Sequence, residues 1–172
     1  ILLIVFAVDP IGQGERLQYP DPITGKSKVG GSTTEHSYAG VQTLLTGSSL
    51  SDYFIWDGIR SLDYLETRKE VDMKRIGITG RSGGGTQTAM IAASDERIYA
   101  AAPECYITNF KRLLQSIGPQ DAEQNPYNAI AKKFDHADFI HIRAPKPTLI
   151  VTTTHDFFSI QGVRETFREA KQ

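Results

Sequence analysis

The chain has 172 residues, of which 40% are hydrophobic and 23% are charged, so we expect a single folded domain over residues 1–172 with a sizeable core. Its 19 lysines and arginines are offset by 20 aspartates and glutamates, which gives a net charge of -1. Neither nucleic acid nor a membrane is expected as a partner, because the chain offers no basic field. The lone Cys105 excludes an intramolecular disulfide and a cysteine-based zinc site and leaves the compartment open.

The first third of the chain begins with an apolar run and continues as a loop. Residues 1–8, ILLIVFAV, predict a buried strand, because the run is too short to cross a membrane and lacks the flanks of a signal peptide. Residues 9–32 are dense in glycine and proline and predict a loop. Because Ile1 already lies in a strand and the last helix still runs at Gln172, we expect a chain that is cut at both ends.

From residue 51 onwards, helical and extended patterns alternate. Ser51 can cap a helix that ends near Arg68, and Ile55, Ile59, Leu62 and Leu65 fall on one of its faces. Strands are predicted at residues 75–79, 97–103 and 147–153, and helices at 86–94 and around Val163, Phe167 and Ala170.

Residues 109–144 are polar and mixed, and we assign them to a cover with weak helices at 110–117 and 128–134. The order of elements predicts an α/β fold in which helices flank a mostly parallel sheet. Ligands of such sheets bind at the carboxyl ends of the strands.

Residues 80–84 match the pattern G-x-S-x-G between a predicted strand and a predicted helix. A serine on a sharp strand-to-helix turn requires small neighbours, a role that we assign to Gly80 and Gly84. The turn would hold the Ser82 hydroxyl at the helix N-terminus, where the Gly83 N–H and the helix dipole can stabilise an oxyanion. The pattern therefore predicts half of an acyl-transfer site.

Other interpretations of the glycines are close packing and phosphate binding. The stretch after Gly80 has no Lys-Ser or Lys-Thr, which a P-loop requires. Gly12 and Gly14 begin a dinucleotide pattern, but Leu17 occupies its third glycine position and prolines replace the helix that should follow. We reject both nucleotide interpretations and expect no metal and no organic cofactor.

A serine nucleophile needs a histidine base and an acid that orients it. Asp156 directly follows the last predicted strand and fits the acid, although a helix N-terminal aspartate would occupy the same place. His155 is adjacent to that carboxylate and would point away from it. We expect His36, His136 and His141 to be surface or loop-ordering residues, so the triad histidine is missing from the sequence.

Four segments resemble the α/β-hydrolase superfamily, and within it the bacterial acetyl xylan esterase-like proteins related to dienelactone hydrolase. They are DPIGQGER at residues 9–16, the run from 56 to 90, GPQDAEQN at 118–125 and TTTHDFFSIQG at 152–162. The resemblance implies Ser82 as nucleophile, the Gly83 N–H as an oxyanion donor and Asp156 as triad acid. It also implies an incomplete fold, with strands four to seven of the family and without the histidine loop and second oxyanion donor.

The resemblance implies a carboxylic ester hydrolase that forms an acyl-enzyme and deacetylates carbohydrate esters without a cofactor. Loss of the histidine from a serine triad costs about a million-fold in turnover, so we predict that the chain alone is nearly inactive. An amidase or peptidase of the same fold, and a catalytically dead fragment that serves as a binding or assembly module, are the alternatives. A homo-oligomer is possible for the chain. Sugar-stacking candidates are Tyr53, Tyr106, Tyr127 and Trp56, of which we assign Trp56 to the core.

Overall fold

The computed structural model describes residues 3–172, so Ile1 and Leu2 of the first predicted strand lie outside the described residues. The sequence predicted one domain, and the distances between Cα atoms define two compact units within the chain. The first unit comprises Ile1–Val71 with Gln120–Tyr127, and the second comprises Asp72–Pro119 with Asn128–Gln172.

Residues 3–8 do not form the buried strand that their apolar sequence predicted. The side chains of Leu3 and Val5 are 78% and 80% exposed. An apolar run becomes a buried strand only where a neighbour satisfies its backbone N–H and C=O groups. Within the described part of the chain, residues 3–8 have no such backbone partner.

The loop predicted at residues 9–32 is present, and a buried carboxylate of helix α1 (Ser32–Leu45) holds it in place. Glu35 accepts hydrogen bonds from the backbone N–H groups of Gln18 at 2.6 Å and Tyr19 at 3.3 Å, and from the Ser27 hydroxyl. The sequence did not predict α1, because the residues it buries are Glu35, His36 and Gly40 and not an apolar stripe.

Helix α2 (Leu50–Glu66) confirms the helix predicted from Ser51 to Arg68. Ser49 and Asp52 form a capping box at its start, so the cap lies two residues before the predicted one. Leu50 and Phe54 pack with Ile11 into a small apolar core of the first unit.

The second unit contains a parallel sheet built on β1 (Ile76–Arg81) and β2 (Ile98–Glu104). Residues 147–151 run along the other side of β2, where the Leu149 N–H donates to the Ala101 carbonyl at 2.9 Å. This segment forms two isolated parallel bridges and not the continuous strand predicted at 147–153. Helix α3 (Gly83–Ser94) connects β1 to β2 and buries Met90 to 2% exposure, which confirms the predicted strand–helix–strand order.

Three further helices complete the second unit, namely α4 (Phe110–Ser116), α5 (His136–His141) and α6 (Ile160–Glu169). The helix predicted at 128–134 is a series of turns. The nearest helix, α5, begins only after residue 134, because Asp135 and Asp138 form a capping box at its start. Among the described residues, no helix has both the length and the apolar character needed to cross a bilayer.

Candidate active site

The turn at Ser82 connects β1 directly to α3. Its backbone angles are φ 55° and ψ -116°, a left-handed conformation that residues other than glycine adopt rarely and at a cost. The Ser82 N–H donates to the Glu104 carbonyl at 2.9 Å, and the Thr86 N–H donates to the Ser82 carbonyl at 2.9 Å. The side chain is exposed and makes no capping hydrogen bond, so the hydroxyl is open to an incoming molecule.

Glycines around the turn have unequal steric roles. A Cβ at Gly80 would lie 2.6 Å from the Gly84 carbonyl oxygen, and a Cβ at Gly85 would lie 2.3 Å from the Glu104 carbonyl oxygen. A Cβ at Gly84 would meet no atom within 4 Å in the part of the chain that the structure describes. The steric role predicted for Gly80 and Gly84 therefore falls on Gly80 and Gly85, since Gly85 lets α3 approach β2.

Gly83 is the first residue of α3, a helix of 12 residues. The first N–H groups of a helix have no partner within it, and they carry the positive end of its dipole. Gly83 directly follows Ser82, so this N–H lies beside the hydroxyl. Its use as an oxyanion donor stays a prediction.

Asp156 lies in the loop between residues 147–151 and α6. Its carboxylate accepts hydrogen bonds from the Thr153 hydroxyl at 2.9 Å and the Phe158 N–H at 3.4 Å. Desolvation would raise the pKa of Asp156, but hydrogen bonds from the Cys105 thiol, Thr153 and the backbone hold that pKa below its ordinary value. Ser159 is the N-cap of α6, so Asp156 is not the capping aspartate that the alternative interpretation required.

The Ser82 turn and the Asp156 loop meet the same end of β2. The Glu104 carbonyl accepts from the Ser82 N–H at 2.9 Å, and the next residue, Cys105, donates its N–H to the Val151 carbonyl at 2.9 Å. The Cys105 thiol hydrogen-bonds Asp156, and burial raises the pKa of this thiol, which keeps the proton on sulfur. Sequence reasoning missed this role of Cys105, although its place just after a predicted strand was a usable signal.

No histidine among residues 3–172 hydrogen-bonds Asp156 or Ser82. His141 is exposed and contacts the Glu169 carbonyl at 3.3 Å, as expected for a surface residue. His36 orders the loop through the Ile11 carbonyl at 2.8 Å, as predicted, but it is buried.

His136 is buried and not on the surface, and it orders the loop that contains Thr108, which is the second of the two predicted roles. It is 0% exposed and stacks on Tyr106, with 4.7 Å between ring centroids. Its Nδ1 accepts the Thr108 N–H at 3.2 Å. Burial lowers the pKa of His136 to about 3, which makes it neutral at physiological pH.

The aromatic candidates for sugar stacking divide by exposure. Tyr106 is 1% exposed and cannot stack on a sugar, whereas Tyr53 and Tyr127 are 47% and 56% exposed. Trp56 was assigned to the core, but it is 56% exposed. The Arg60 guanidinium lies 4.4 Å from the centre of its ring, so its exposed face is partly covered by a cation.

One group of side chains has the composition of a metal site. His36, Asp121 and Glu123 each place one potential ligand atom within 4.8 Å of the others. They belong to the first unit, whereas Ser82 and Asp156 belong to the second. The chemistry of the two groups is therefore considered independently.

Comparison with known families assigns the chain to a superfamily. Residues 48–160 match the family model described as the prolyl oligopeptidase family, peptidase S9, within the α/β-hydrolase clan. The chain belongs to the prolyl oligopeptidase family. The matched residues include Ser82 and Asp156, and membership confirms the resemblance to α/β-hydrolases that the sequence indicated.

Individual relatives agree with this family assignment. The chain is 29% identical over 119 residues to YtaP, an inferred hydrolase of Bacillus subtilis (strain 168), and the match covers 67% of this chain and 39% of YtaP. The chain thus spans about two fifths of the length of that relative.

Several solved structures share the fold of this member of the prolyl oligopeptidase family. A candidate acetyl xylan esterase from Bacteroides fragilis NCTC 9343 superposes with a TM-score of 0.69 at 19% identity, over 96% of this chain and 43% of that one. The glucuronoyl esterase catalytic domain from Hypocrea jecorina gives a TM-score of 0.59 at 19% identity, over 71% of this chain and 40% of that one. These likenesses confirm part of an α/β-hydrolase fold.

Proposed function

We propose that the chain supplies the nucleophile and the acid of a serine carboxylic ester hydrolase. One observation carries the proposal. Ser82 presents an exposed hydroxyl on a positive-φ turn, and this turn and the Asp156 loop lie at the same carboxyl end of the strands. A structural serine would gain nothing from such a conformation, which costs about 1–3 kcal/mol. Membership of a hydrolase clan supports the same assignment.

The proposed reaction is acyl transfer in two steps. Ser82 Oγ attacks the ester carbonyl carbon while a histidine takes its proton, and the Gly83 N–H stabilises the oxyanion that forms. The tetrahedral intermediate expels the alkoxide, which receives the proton from the histidine. Water then attacks the acyl-serine with the same histidine as base and releases the acid and Ser82. Asp156 stabilises the imidazolium in both steps.

Carbohydrate esters, and acetyl esters first, are the proposed substrates. Support comes from the sequence resemblance and from the names of fold neighbours, which include a candidate acetyl xylan esterase and several glucuronoyl esterases. The exposed aromatic residues Tyr53 and Tyr127 are available for sugar stacking.

Hydrolysis of p-nitrophenyl acetate tests the reaction. We expect slow turnover by the chain, because none of the described histidines hydrogen-bonds Ser82 or Asp156. Added imidazole should accelerate it beyond the hydrolysis that imidazole alone catalyses in buffer, since a free base can replace the missing one, and Ser82→Ala should abolish this excess. Asp156→Asn should weaken the rescue. An imidazole effect that is equal in the unaltered chain and in Ser82→Ala would refute the serine mechanism.

Amide hydrolysis is the second candidate, because the family takes its name from peptidases. Matched p-nitroanilide and p-nitrophenyl substrates with the same acyl group separate the two activities. Faster imidazole-rescued cleavage of the anilide would replace the esterase proposal. A chain whose Ser82 is not labelled by a fluorophosphonate, even with imidazole present, would be a binding module.

A further inference from the structure

The first unit contains a buried cluster of His36, Asp121 and Glu123, which we call the His36 cluster. His36 lies on α1, and the two carboxylates lie at the cap and within the 3-10 helix at Ala122–Gln124. His36 and Glu123 are 1% and 5% exposed, and the Asp121 side chain is 9% exposed. Three ionisable side chains are thus withdrawn from solvent together.

Each member of the His36 cluster has one atom engaged in a hydrogen bond that fixes its orientation. His36 Nε2 donates to the Ile11 carbonyl at 2.8 Å, and Asp121 Oδ1 accepts the Glu123 N–H at 3.1 Å. Glu123 Oε1 accepts from Gln124 Nε2 at 3.3 Å. The second polar atom of each side chain remains, and His36 Nδ1 lies 3.4 Å from Asp121 Oδ2 and 3.8 Å from Glu123 Oε2.

These three remaining atoms are all electron-pair donors. A carbonyl oxygen can only accept, so Nε2 of His36 carries the ring proton and Nδ1 of the neutral ring presents a lone pair. Among the described residues, His36 Nδ1 and Glu123 Oε2 are buried and have no hydrogen-bond partner. A nitrogen and two carboxylate oxygens that face one another in a buried place need a positive charge between them.

We propose that the His36 cluster binds a divalent transition-metal ion, with Zn²⁺ as the first candidate. Ligands at about 2.1 Å from a tetrahedral ion are about 3.4 Å apart, which is close to the spacing observed from Nδ1. The imidazole nitrogen favours Zn²⁺ over Mg²⁺ and Ca²⁺, which prefer oxygen ligands alone. The two carboxylates neutralise the charge of the ion. The ligand side chains are held in orientation by their hydrogen bonds to the Ile11 carbonyl, the Glu123 N–H and the Gln124 side chain.

The surrounding packing holds the ligands at this spacing. A Cβ at Gly40 would lie 2.2 Å from Ala122 Cβ, so only glycine lets α1 approach the 3-10 helix that carries Glu123. Phe54 contacts the His36 ring edge-on, with 5.3 Å between centroids. A bound ion would therefore join α1 to residues 121–123 of the same unit.

A proton on His36 is the competing occupant. Burial alone would lower the pKa of His36, but a protonated Nδ1 could donate to Asp121, and this together with the charges of Glu123 and Asp121 raises the pKa above its ordinary value. Burial and the Asp121 charge also raise the pKa of Glu123. An imidazolium or a protonated Glu123 would satisfy part of the cluster, so the test must separate a proton from a metal ion.

Calorimetric titration of the chelator-treated chain with ZnCl₂, and separately with MnCl₂, is the first measurement. We expect one Zn²⁺ per chain, and binding at least tenfold weaker in Glu123→Gln and Asp121→Asn. These variants keep the shape of the side chains and remove their charge. His141→Gln and Glu169→Gln, which alter exposed residues of the second unit, should leave the affinity unchanged.

Two measurements on the unaltered chain make the test independent of how the variants fold. Co²⁺ should produce the visible absorption of a tetrahedral Co²⁺ site, and added Zn²⁺ should remove this absorption by displacing Co²⁺. Long-range proton–nitrogen NMR should show His36 Nδ1 shifted by Zn²⁺ while Nε2 keeps its proton. Absence of a one-to-one Zn²⁺ complex, or a doubly protonated His36 ring in excess Zn²⁺, would overturn the proposal in favour of a buried ion pair.

Discussion

The Ser82 turn and the His36 cluster expose their reactive groups to opposite degrees. Ser82 and Asp156 are exposed, and each lies just beyond the end of an extended segment. His36 and Glu123 are 1% and 5% exposed and are held by a helix and a 3-10 helix. A nucleophile must be reached by its substrate, whereas charges that bind one another are strongest where water is excluded. The difference in exposure agrees with the two proposals, an active site at Ser82 and a metal site at the His36 cluster.

The two buried histidines illustrate how neighbours decide the charge of a side chain. His36 faces two carboxylates, and its pKa is raised despite burial. His136 is surrounded by Tyr106, Phe110 and Phe139, and its pKa falls to about 3. Desolvation lowers the pKa of both histidines, and among the described residues only His36 has carboxylates that offset it.

The largest expected loss comes from Phe54→Ala, which removes the ring that packs against His36. Phe54 is 3% exposed and belongs to the apolar core of the first unit, so the free energy of unfolding should fall by about 3–5 kcal/mol. Urea unfolding of both chains measures this difference.

Trp56→Ala is the matched control for Phe54→Ala, since it removes a large aromatic residue from the same helix. Trp56 is 56% exposed, so its loss should cost no more than about 1 kcal/mol, mostly from the contact with Arg60. Equal losses in the two variants would contradict the assignment of the core to the Phe54 side of α2.

An intermediate effect is expected from adding one methyl group beside the Ser82 turn. Gly85→Ala would drive its Cβ into the Glu104 carbonyl, and overpacking of this kind costs about 1–3 kcal/mol. Gly84→Ala adds the same group where no described atom lies within 4 Å, so it should be neutral or stabilise α3 by up to about 1 kcal/mol. Thermal unfolding of both variants measures the difference, and the reverse ranking would disprove the packing of α3 on β2.

The Ser82 turn could be predicted from sequence because its chemistry lies in adjacent residues. A strand, five residues of G-x-S-x-G and a helix define the turn locally, and Asp156 follows from the order of strands. The choice between Gly84 and Gly85 could not be predicted, because it depends on how closely α3 packs against Glu104 of the next strand.

The His36 cluster could not be found from sequence, because tertiary structure alone brings its members together. The segment GPQDAEQN was recognised only as part of a family resemblance, and α1 was missed because it buries polar residues. The prediction for the apolar run at residues 3–8 failed for the opposite reason, since hydrophobic character predicted a strand where the described residues provide no backbone hydrogen-bond partner. Local patterns therefore predict elements better than they predict the neighbours that those elements need.

The last effect concerns the protonation of His136, which has no influence on stability at neutral pH and grows with acidity. The unfolded chain binds a proton at this histidine below a pH of about 6.5, whereas the folded chain does so only below a pH of about 3. The contribution of neutral His136 to stability is thus complete above pH 6.5 and is lost as the pH falls toward 3. The slope should be about 1.4 kcal/mol per pH unit within that window.

Replacement of His136 by asparagine isolates this slope, because the Asn oxygen can still accept the Thr108 N–H that His136 Nδ1 accepts at 3.2 Å. The variant should be less stable than the unaltered chain at pH 7, since it loses the stacking on Tyr106. The difference should shrink as the pH falls, because only the unaltered chain carries the acid penalty. His141→Asn controls for the removal of an exposed histidine. A stability difference between His136→Asn and the unaltered chain that stays constant from pH 7 to pH 4.5 would show that His136 is protonated in the folded state, and the contrast with His36 would then fail.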